Sequence, residues 1–197
     1  MDISDIKRLN VLWAGIYPYL AEQVTAVLPE RARILLELGP FSGGIAFELA
    51  KANRDYSIVI ADSREETVDY LGHMARKLNL LDQIRLARTD LSALKFREAE
   101  FDGVIFRGAF FFLDASMLRE IHRVLRPGGV GFIGGGFGAS TPGSLIEKVA
   151  SESRRLNDRL GRRWISGAQL KAMVAEANLE ECSGIIEEGG LWLVLQK

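Results

Sequence analysis

The sequence has little of three things: cysteine, excess charge of either sign, and long apolar runs. One cysteine, Cys182, stands among 197 residues, so neither an internal disulfide nor a CxxC metal or redox motif can form. The formal net charge of -1 argues against a protein built for non-specific binding of nucleic acid or anionic membranes. No apolar run approaches the length that spans a bilayer. These absences predict no nucleic-acid partner and no membrane partner.

The rest of the composition is that of an ordinary globular protein, with 48% apolar and 26% charged residues. The length suits one domain, which we expect to span 1–197. The first residues are mixed in charge and lack the apolar core of a signal peptide. Together with the single Cys182, they predict a cytoplasmic protein. Nothing in the sequence points to a particular oligomeric state.

Apolar periodicity divides the chain into alternating strands and helices. Residues 1–30 carry apolar side chains at helical spacing, with Pro18 where a second helix would begin, and predict an N-terminal helical cap. Short, continuously apolar runs that predict strands follow at 34–38, 57–61, 84–88, 104–106 and about 129–135. Because these runs lack polar alternation, they fit strands covered on both faces, as in a doubly wound parallel sheet. Two further runs, joined by Gly189-Gly190, predict a C-terminal hairpin.

The stretch ELGPFSGG, residues 37–44, joins the first predicted strand to a helical segment. Its three glycines let the backbone approach a ligand closely. Their spacing is not the G-x-G-x-x-G of a dinucleotide site, and no Gly-Lys-Ser/Thr follows as in a P-loop. The remaining interpretation is a nucleoside ligand without phosphates, bound at the carboxyl ends of the strands.

Two aspartates follow the next two predicted strands. Asp62 lies about where a carboxylate accepts hydrogen bonds from ribose hydroxyls, and it also fits a helix N-cap; both roles can coexist. Asp90, with the amide of Leu91, is placed to read an adenine edge. A turn-forming aspartate explains the same position of Asp90 equally well.

Several strings in this order resemble the motifs of one family. ELGPFSGG, Asp62, TDL at 89–91, and FDGVIFRGAFFFLD followed by LREIHRVLRPGG resemble the class I S-adenosylmethionine-dependent methyltransferases. More narrowly, IYPYLAEQV, FIGGGFG and EGGLWLVLQK are similar to a group of small single-domain methyltransferases of anaerobic archaea and bacteria. The resemblance implies S-adenosyl-L-methionine as cofactor and a Rossmann-like α/β fold. Its doubly wound, seven-stranded sheet is expected to be mostly parallel with an antiparallel C-terminal hairpin strand.

The resemblance also implies a cofactor site. The glycine loop is expected at the methionine part of the cofactor, Asp62 at its ribose, and the pair Asp90 and Leu91 at its adenine. The predicted cofactor-binding residues are Tyr17, Glu37, Gly39, Gly43, Asp62, Ser63, Asp90, Leu91 and Arg107.

Arg107 and Tyr17 each have two interpretations. Arg107, just past the fourth predicted strand, either holds the cofactor carboxylate or an anionic substrate group, or pairs with a nearby carboxylate. Tyr17 either donates to the cofactor carboxylate or packs within the cap with its hydroxyl exposed.

The sequence departs from the family pattern at Phe41, where a glycine is usual. Glycine there permits a positive φ and close ligand approach, which a phenylalanine resists. Either the loop keeps an ordinary conformation and the ring points away from the ligand, or the pocket is altered and the cofactor binds weakly. The retained Gly43, Asp62 and Asp90 favour the first alternative.

No residue stands out as a catalytic base. Methyl transfer from a sulfonium needs none, because the in-line displacement depends on alignment and exclusion of water. His73 and His122 lack metal-ligand partners at suitable spacing, so no metal site is predicted. The aromatic run 110–112 either walls a planar or apolar substrate or belongs to the core. The charged stretch after Pro142 predicts a long exposed helix. It carries a cluster of arginines that either grips an acidic substrate or nucleic acid or, as the neighbouring acidic residues favour, forms a solvated face: Arg154, Arg155, Arg159, Arg162 and Arg163.

Two functions follow from the sequence. The first is methyl transfer from S-adenosylmethionine to a small-molecule acceptor, because the chain has little room for a separate substrate-recognition domain. The alternative is a non-catalytic protein that binds S-adenosylmethionine or S-adenosylhomocysteine as a sensor or partner subunit, which Phe41 and the missing base favour.

Overall fold

A computed structural model describes residues 2–197; Met1, the first residue of the predicted cap, lies outside the described residues. The helices are α1 (Ile3–Leu12), α2 (Tyr17–Val27), α3 (Gly44–Ala52), α4 (Glu65–Lys77), α5 (Ala115–Val124), α6 (Gly143–Arg159) and α7 (Gly167–Glu176). The strands are β1 (Ile34–Leu38), β2 (Ser57–Asp62), β3 (Ile84–Arg88), β4 (Phe101–Arg107), β5 (Leu125–Gly136), β6 (Ser183–Ile186) and β7 (Gly190–Gln196). None of the helices within residues 2–197 has the length and apolar character of a membrane-spanning segment.

The seven strands form one sheet in the order β3-β2-β1-β4-β5-β7-β6. Neighbours from β3 to β5 are parallel, whereas β7 runs antiparallel to both β5 and β6. The predicted doubly wound sheet with its antiparallel C-terminal strand is therefore confirmed. β1 lies between β2 and β4, so the strand order reverses beside it. In such sheets, ligands bind at the carboxyl ends of the strands at this point of reversal.

Successive residues of β1 pack into two separate hydrophobic cores, one on each face of the sheet. Leu35 faces the core that includes α2, α3 and α4, and Leu36 faces the core that includes α5 and α7. Side chains alternate along a strand, so a strand that is covered on both sides is apolar toward both, apart from a buried polar residue such as Glu37 in β1. This explains why the runs that predict strands lack polar alternation.

Two predicted strands prove longer than their apolar runs. The run at 104–106 is the middle of β4, which spans Phe101–Arg107. β5 begins at Leu125 rather than near 129, because α5 ends at Val124 and the extended Leu125 pairs with Phe101 before a register shift. The turn-forming residues RPGG lie inside this strand and hide its beginning in the sequence.

α1 and α2 occupy the residues predicted as an N-terminal cap. Pro18 lies in the first turn of α2, as predicted. The charged helix after Pro142 is α6, and its inner face is covered by the α1 region. Asp5 forms an ion pair with Arg159, and Nε1 of Trp13 donates to Oγ of Ser153 at 2.9 Å. α6 is therefore exposed only on its outer side.

Two helical glycines allow a matched test of this packing. A Cβ at Gly44 would overlap the ring of Tyr17, whereas a Cβ at Gly72 in α4 would only touch Leu86, at 3.8 Å. We expect Gly44→Ala to destabilise the protein by about 1–3 kcal/mol through overpacking. Gly72→Ala should stabilise it by up to about 1 kcal/mol, because alanine favours a helix over glycine. Chemical denaturation of both variants checks this; an unchanged midpoint for Gly44→Ala would contradict the packing of Tyr17 on α3.

Candidate functional site

A buried glutamate at the end of β1 shapes the glycine loop. Oε2 of Glu37 accepts hydrogen bonds from the backbone amides of Gly43 at 2.8 Å and Ala46 at 2.9 Å. These bonds draw the loop over the first turn of α3, and Gly43 takes a φ of 98°, a conformation that suits glycine. The other oxygen, Oε1, is buried without a hydrogen-bond partner. Burial raises the pKa of Glu37 to about 7.

Asp62, at the end of β2, is only 1% exposed and lies against the loop. Its Oδ1 accepts from the amide of Arg64 at 2.7 Å, a local turn bond. The N-cap residue of α4 is Arg64 itself, so the predicted N-cap role of Asp62 is wrong. Its Oδ2 is buried without a partner, and a Cβ at Gly39 would overlap this atom. The structure thus brings Gly39 and Asp62 into contact. Burial is the main cause that raises the pKa of Asp62.

The other predicted residues at the ends of β2 and β3 are less enclosed. Oδ1 of Asp90 accepts from both the amide and the hydroxyl of Ser92, at 2.9 and 2.7 Å, so the turn-forming alternative describes what this oxygen does. These bonds lower the pKa of Asp90. Leu91 is 8% exposed and packs in the core of α5 and α7, while the exposed Ser63 offers its carbonyl to Arg88. None of the three joins the buried polar group around Glu37.

Arg107, at the end of β4, is a buried cation enclosed by aromatic rings. Its guanidinium carbon lies 4.5 Å from the ring centre of Trp13, 5.1 Å from Tyr17 and 5.5 Å from Phe41. Its Nη2 donates to the hydroxyl of Tyr17 at 3.0 Å, and that hydroxyl donates to Oδ1 of Asn10 at 2.6 Å.

Two predicted alternatives are decided by these contacts. Among residues 2–197, no acidic side chain forms an ion pair with Arg107, and its Nε is buried without a partner. The alternative of a structural pair with a carboxylate is therefore wrong. The hydroxyl of Tyr17 is buried and hydrogen-bonded, not exposed as the packing alternative expected, and burial is the main cause that raises its pKa to about 12.

Phe41 keeps an ordinary backbone, because its φ is not positive. The ring is 1% exposed and lies 4.9 Å from the ring of Phe111. It also occupies the space next to Gly108, where a Cβ would overlap it. The loop conformation agrees with the first alternative for this residue, and the ring points toward the end of β4.

Beyond Phe41 and Arg107 lies a cavity of about 380 Å³. Its floor is backbone from the glycine-rich end of β5 and the start of β7, and its walls are aromatic rings and α6. The residues that line it include Trp13, Phe110, Phe111, Gly135, Gly136, Phe137, Arg154, Arg162, Trp164 and Leu191. Phe110 and Phe111 therefore serve as wall and core at once, while Phe112 is 37% exposed.

Comparison with known proteins decides the family. The profile of the methyltransferase domain family matches residues 35–129. A solved protein of Methanococcus maripaludis, assigned as an S-adenosyl-L-methionine-dependent methyltransferase, shares 27% identity and a TM-score of 0.84, covering 98% of this chain and 91% of its own. The chain belongs to the class I S-adenosylmethionine-dependent methyltransferases. The match to a small archaeal protein confirms the narrower resemblance as well.

Two further structures share the fold of this methyltransferase. A SAM-dependent methyltransferase from Aquifex aeolicus has 17% identity and a TM-score of 0.71, covering 99% of this chain and 97% of its own. A geranyl diphosphate methyltransferase solved in complex with SAM has 12% identity and a TM-score of 0.66, covering 90% and 83%. No curated protein sequence matches the chain significantly. S-adenosylmethionine is the cofactor of this methyltransferase.

Sequence reasoning missed three residues of the methyltransferase site. Trp13 lies over Arg107 and closes the cavity from the cap. Ser42, in the glycine loop, is fully buried with its hydroxyl unpartnered. Asn157, on α6, lines the cavity beside Ser153. The position of Ser42 in the loop was a usable signal, whereas Trp13 and Asn157 reach the site only through the packing of α1 on α6.

The raised pKa of Glu37 predicts a pH dependence of stability. Its folded pKa lies near 7, above the ordinary value of 4.5, so the folded protein holds this proton to higher pH than the unfolded chain does. The contribution is complete below pH 4.5 and is lost as the pH rises through 7. At 1.36 kcal/mol per pKa unit, the loss is at most about 3 kcal/mol.

Urea denaturation at pH 5 and pH 8 measures the effect. Glu37→Gln keeps an acceptor oxygen for the two amides but cannot ionise, so its free energy of unfolding should fall less between these pH values than that of the wild type. Glu147→Gln, which removes an exposed carboxylate from α6, is the control. Equal pH dependence in wild type and Glu37→Gln would refute the raised pKa.

Proposed function

We propose that this methyltransferase transfers the methyl group of S-adenosylmethionine to a small molecule bound in the cavity beside Arg107. One observation carries the proposal: three buried polar atoms without partners lie on β1, β2 and β4. They are Oε1 of Glu37, Oδ2 of Asp62 and Nε of Arg107. Because an unsatisfied buried polar group is costly, atoms of this kind on neighbouring strands are expected to meet a polar ligand.

Asp62 and Gly39 suit the ribose of the cofactor. A buried carboxylate oxygen without a donor is what two ribose hydroxyls would complement, through charge-assisted hydrogen bonds. Gly39 lacks the Cβ that would block Oδ2. The other carboxylate oxygen already accepts from the amide of Arg64, so Asp62 can bind the ribose and keep this turn without moving.

Arg107 and Tyr17 suit the carboxylate of the cofactor's methionine part. Arg107 has no acidic partner within residues 2–197, and an anion is the ligand that a buried guanidinium most needs. The hydroxyl of Tyr17 is already held in place by a hydrogen bond from Nη2 of Arg107, so the two groups are close enough to contact the same carboxylate. Glu37 holds the glycine loop through the amide of Gly43. Its Oε1 remains available to accept a hydrogen bond from a donor group of the cofactor.

We assign the adenine to the ends of β2 and β3. Leu91 offers an apolar surface, and Ser63 lies between the end of β2 and the start of α4. Oδ2 of Asp90 has no hydrogen-bond partner in the described part of the chain, so it is available to the adenine amino group while Oδ1 keeps its turn.

When bound, S-adenosylmethionine supplies an electrophilic methyl group on a sulfonium. The chain's own residues align and enclose the reactants. The cavity begins at Arg107 and Phe41, and the aromatic rings that line it exclude water from the acceptor. We assign no catalytic base.

The acceptor class follows from the dimensions of the site. A cavity of about 380 Å³ is at the small end of sites for small ligands.

We propose that residues 1–197 form a single domain, with 1–30 as a cap over it. The balanced charge and the lone Cys182 lead us to propose a cytoplasmic enzyme whose acceptor is neither nucleic acid nor membrane lipid.

The site assignment is tested at Asp62 by calorimetry with S-adenosylhomocysteine. Asp62→Ala removes the ribose acceptor, at about 1.5–3 kcal/mol for a charge-assisted hydrogen bond, so the affinity should fall by roughly one to two orders of magnitude. It should also lower stability by about 0.5–1.5 kcal/mol, because the hydrogen bond from the amide of Arg64 is lost. Asp62→Asn should keep the hydrogen bond from the amide of Arg64 and the stability, and still lose affinity.

The paired variants separate binding from folding. An affinity unchanged in Asp62→Ala would remove this residue from the site and weaken the whole assignment. If the wild type does not bind S-adenosylhomocysteine at millimolar concentration, the proposed function fails.

A further inference from the structure

The cavity beside Arg107 is positively charged and has no opposing acid. Three arginines line it: Arg107 at its inner end, Arg154 on α6, and Arg162 in the segment after α6. Among the described residues that line the cavity, none is an aspartate or glutamate. A concave site with charge of one sign attracts ligands of the opposite sign.

Arg154 and Arg162 differ from the other arginines around them. Arg155 pairs with Glu152, and Arg159 pairs with Asp5, as expected for a solvated helix face. Arg163 is also engaged, because it donates to two backbone carbonyls next to the aromatic run. In residues 2–197, the guanidinium groups of Arg154 and Arg162 form neither a hydrogen bond nor an ion pair. Arg154 is exposed, as predicted for a solvated face, whereas Arg162 is half-buried, and both line the cavity.

Arg162 is held in place without being neutralised. Its guanidinium carbon lies 4.5 Å from the ring centre of Trp164. This contact uses the face of the guanidinium group and leaves the N–H donors at its edge free. Burial lowers its pKa, against the opposite influence of Asp158. A partly buried guanidinium with unused donors is suited to a planar anion such as a carboxylate, or to a phosphate.

The rest of the wall is aromatic. Phe110, Phe111 and Phe137 face the space between the arginines, and Phe137 stacks on Trp13 with ring centres 4.8 Å apart. Flat ring faces of this kind bury a planar or apolar body well. The cavity therefore combines an apolar wall with a cationic side.

We propose that the methyl acceptor is a small anionic molecule with a planar apolar body, whose anionic group is bound by Arg154 and Arg162. This rests on the proposed function, since it names the acceptor class of that same cavity. Arg107 is left to the cofactor carboxylate. The anionic group is a carboxylate or a phosphate, which share the chemistry that these two guanidinium groups recognise.

Calorimetry on the methyltransferase saturated with S-adenosylhomocysteine tests the acceptor class. The probes are 2-naphthoate, 2-naphthyl phosphate and the neutral 2-naphthamide, which share one planar body. At least one anionic probe should bind about tenfold or more tighter than the amide, the ratio that one charge-assisted hydrogen bond supports. The tighter of the two anions identifies the group as carboxylate or phosphate.

Paired variants assign the preference to the cavity. In Arg154→Gln/Arg162→Gln, the anion and the amide should bind within about threefold of each other, while the affinity for S-adenosylhomocysteine stays unchanged. Arg31→Gln/Arg85→Gln removes the same charge from exposed side chains at the opposite ends of the parallel strands, and should keep the full preference.

Three results would overturn the proposal: an amide that binds as tightly as the anions, no binding of any probe at millimolar concentration, or a preference that survives in the cavity variant. Loss of the preference in the control variant would also count against it, because the effect would then come from net charge. Because S-adenosylhomocysteine binding is measured on the same samples, its failure counts against the proposed function, and a failure of the probes alone counts only against the acceptor class.

Discussion

The carboxyl end of the sheet depends on the burial of one positive charge without an acidic partner. Burying a guanidinium costs several kcal/mol unless its donors and its charge are compensated. Arg107 is compensated by the hydroxyl of Tyr17, by the carbonyl of Phe41 at 3.4 Å, and by ring faces that include Trp13. These partners come from the cap and from the loop after β1, so three separate parts of the chain are joined through one side chain of β4. The remaining deficit, including an Nε that is buried without a partner, is what supports the proposed binding site at this point.

An aromatic ring against a glycine occurs twice around this charge. Phe41 stands where the family has glycine, and its ring takes the space that Gly108, with a φ of 71°, leaves open on the other side. Tyr17 uses Gly44 in the same way. Because Gly108 has no side chain, the ring of Phe41 has room beside it, which explains how a phenylalanine fits a loop where the family usually has glycine. The ring then contributes both to the enclosure of Arg107 and to the cavity wall.

The fold could be predicted almost completely, because buried parallel strands and their crossover helices carry local signals. The beginning of β5 at Leu125 could not, since pairing with a distant strand overrides the turn-forming residues that follow it. In the candidate site, motif order pointed to Glu37 and Asp62, and both are buried and polar as a ligand site requires. The sequence could not show which arginine of α6 faces the cavity. Arg154 and Arg155 are adjacent in the sequence, and only the packing of α6 decides between them.

The backbone floor of the cavity limits how the site can change in evolution or design. A Cβ at Gly134 or Gly136 would overlap the backbone of the β7 hairpin, so these positions are fixed by the sheet itself. Gly135 differs, because a Cβ there would reach only the ring of Phe110, at an ordinary 3.7 Å. A single methyl group can therefore be added to the floor at Gly135 without moving the sheet. In the proposed site, Gly135 is a position at which acceptor length could be adjusted, independently of the arginines on α6 and in the segment after it that we propose to bind the acceptor's charge.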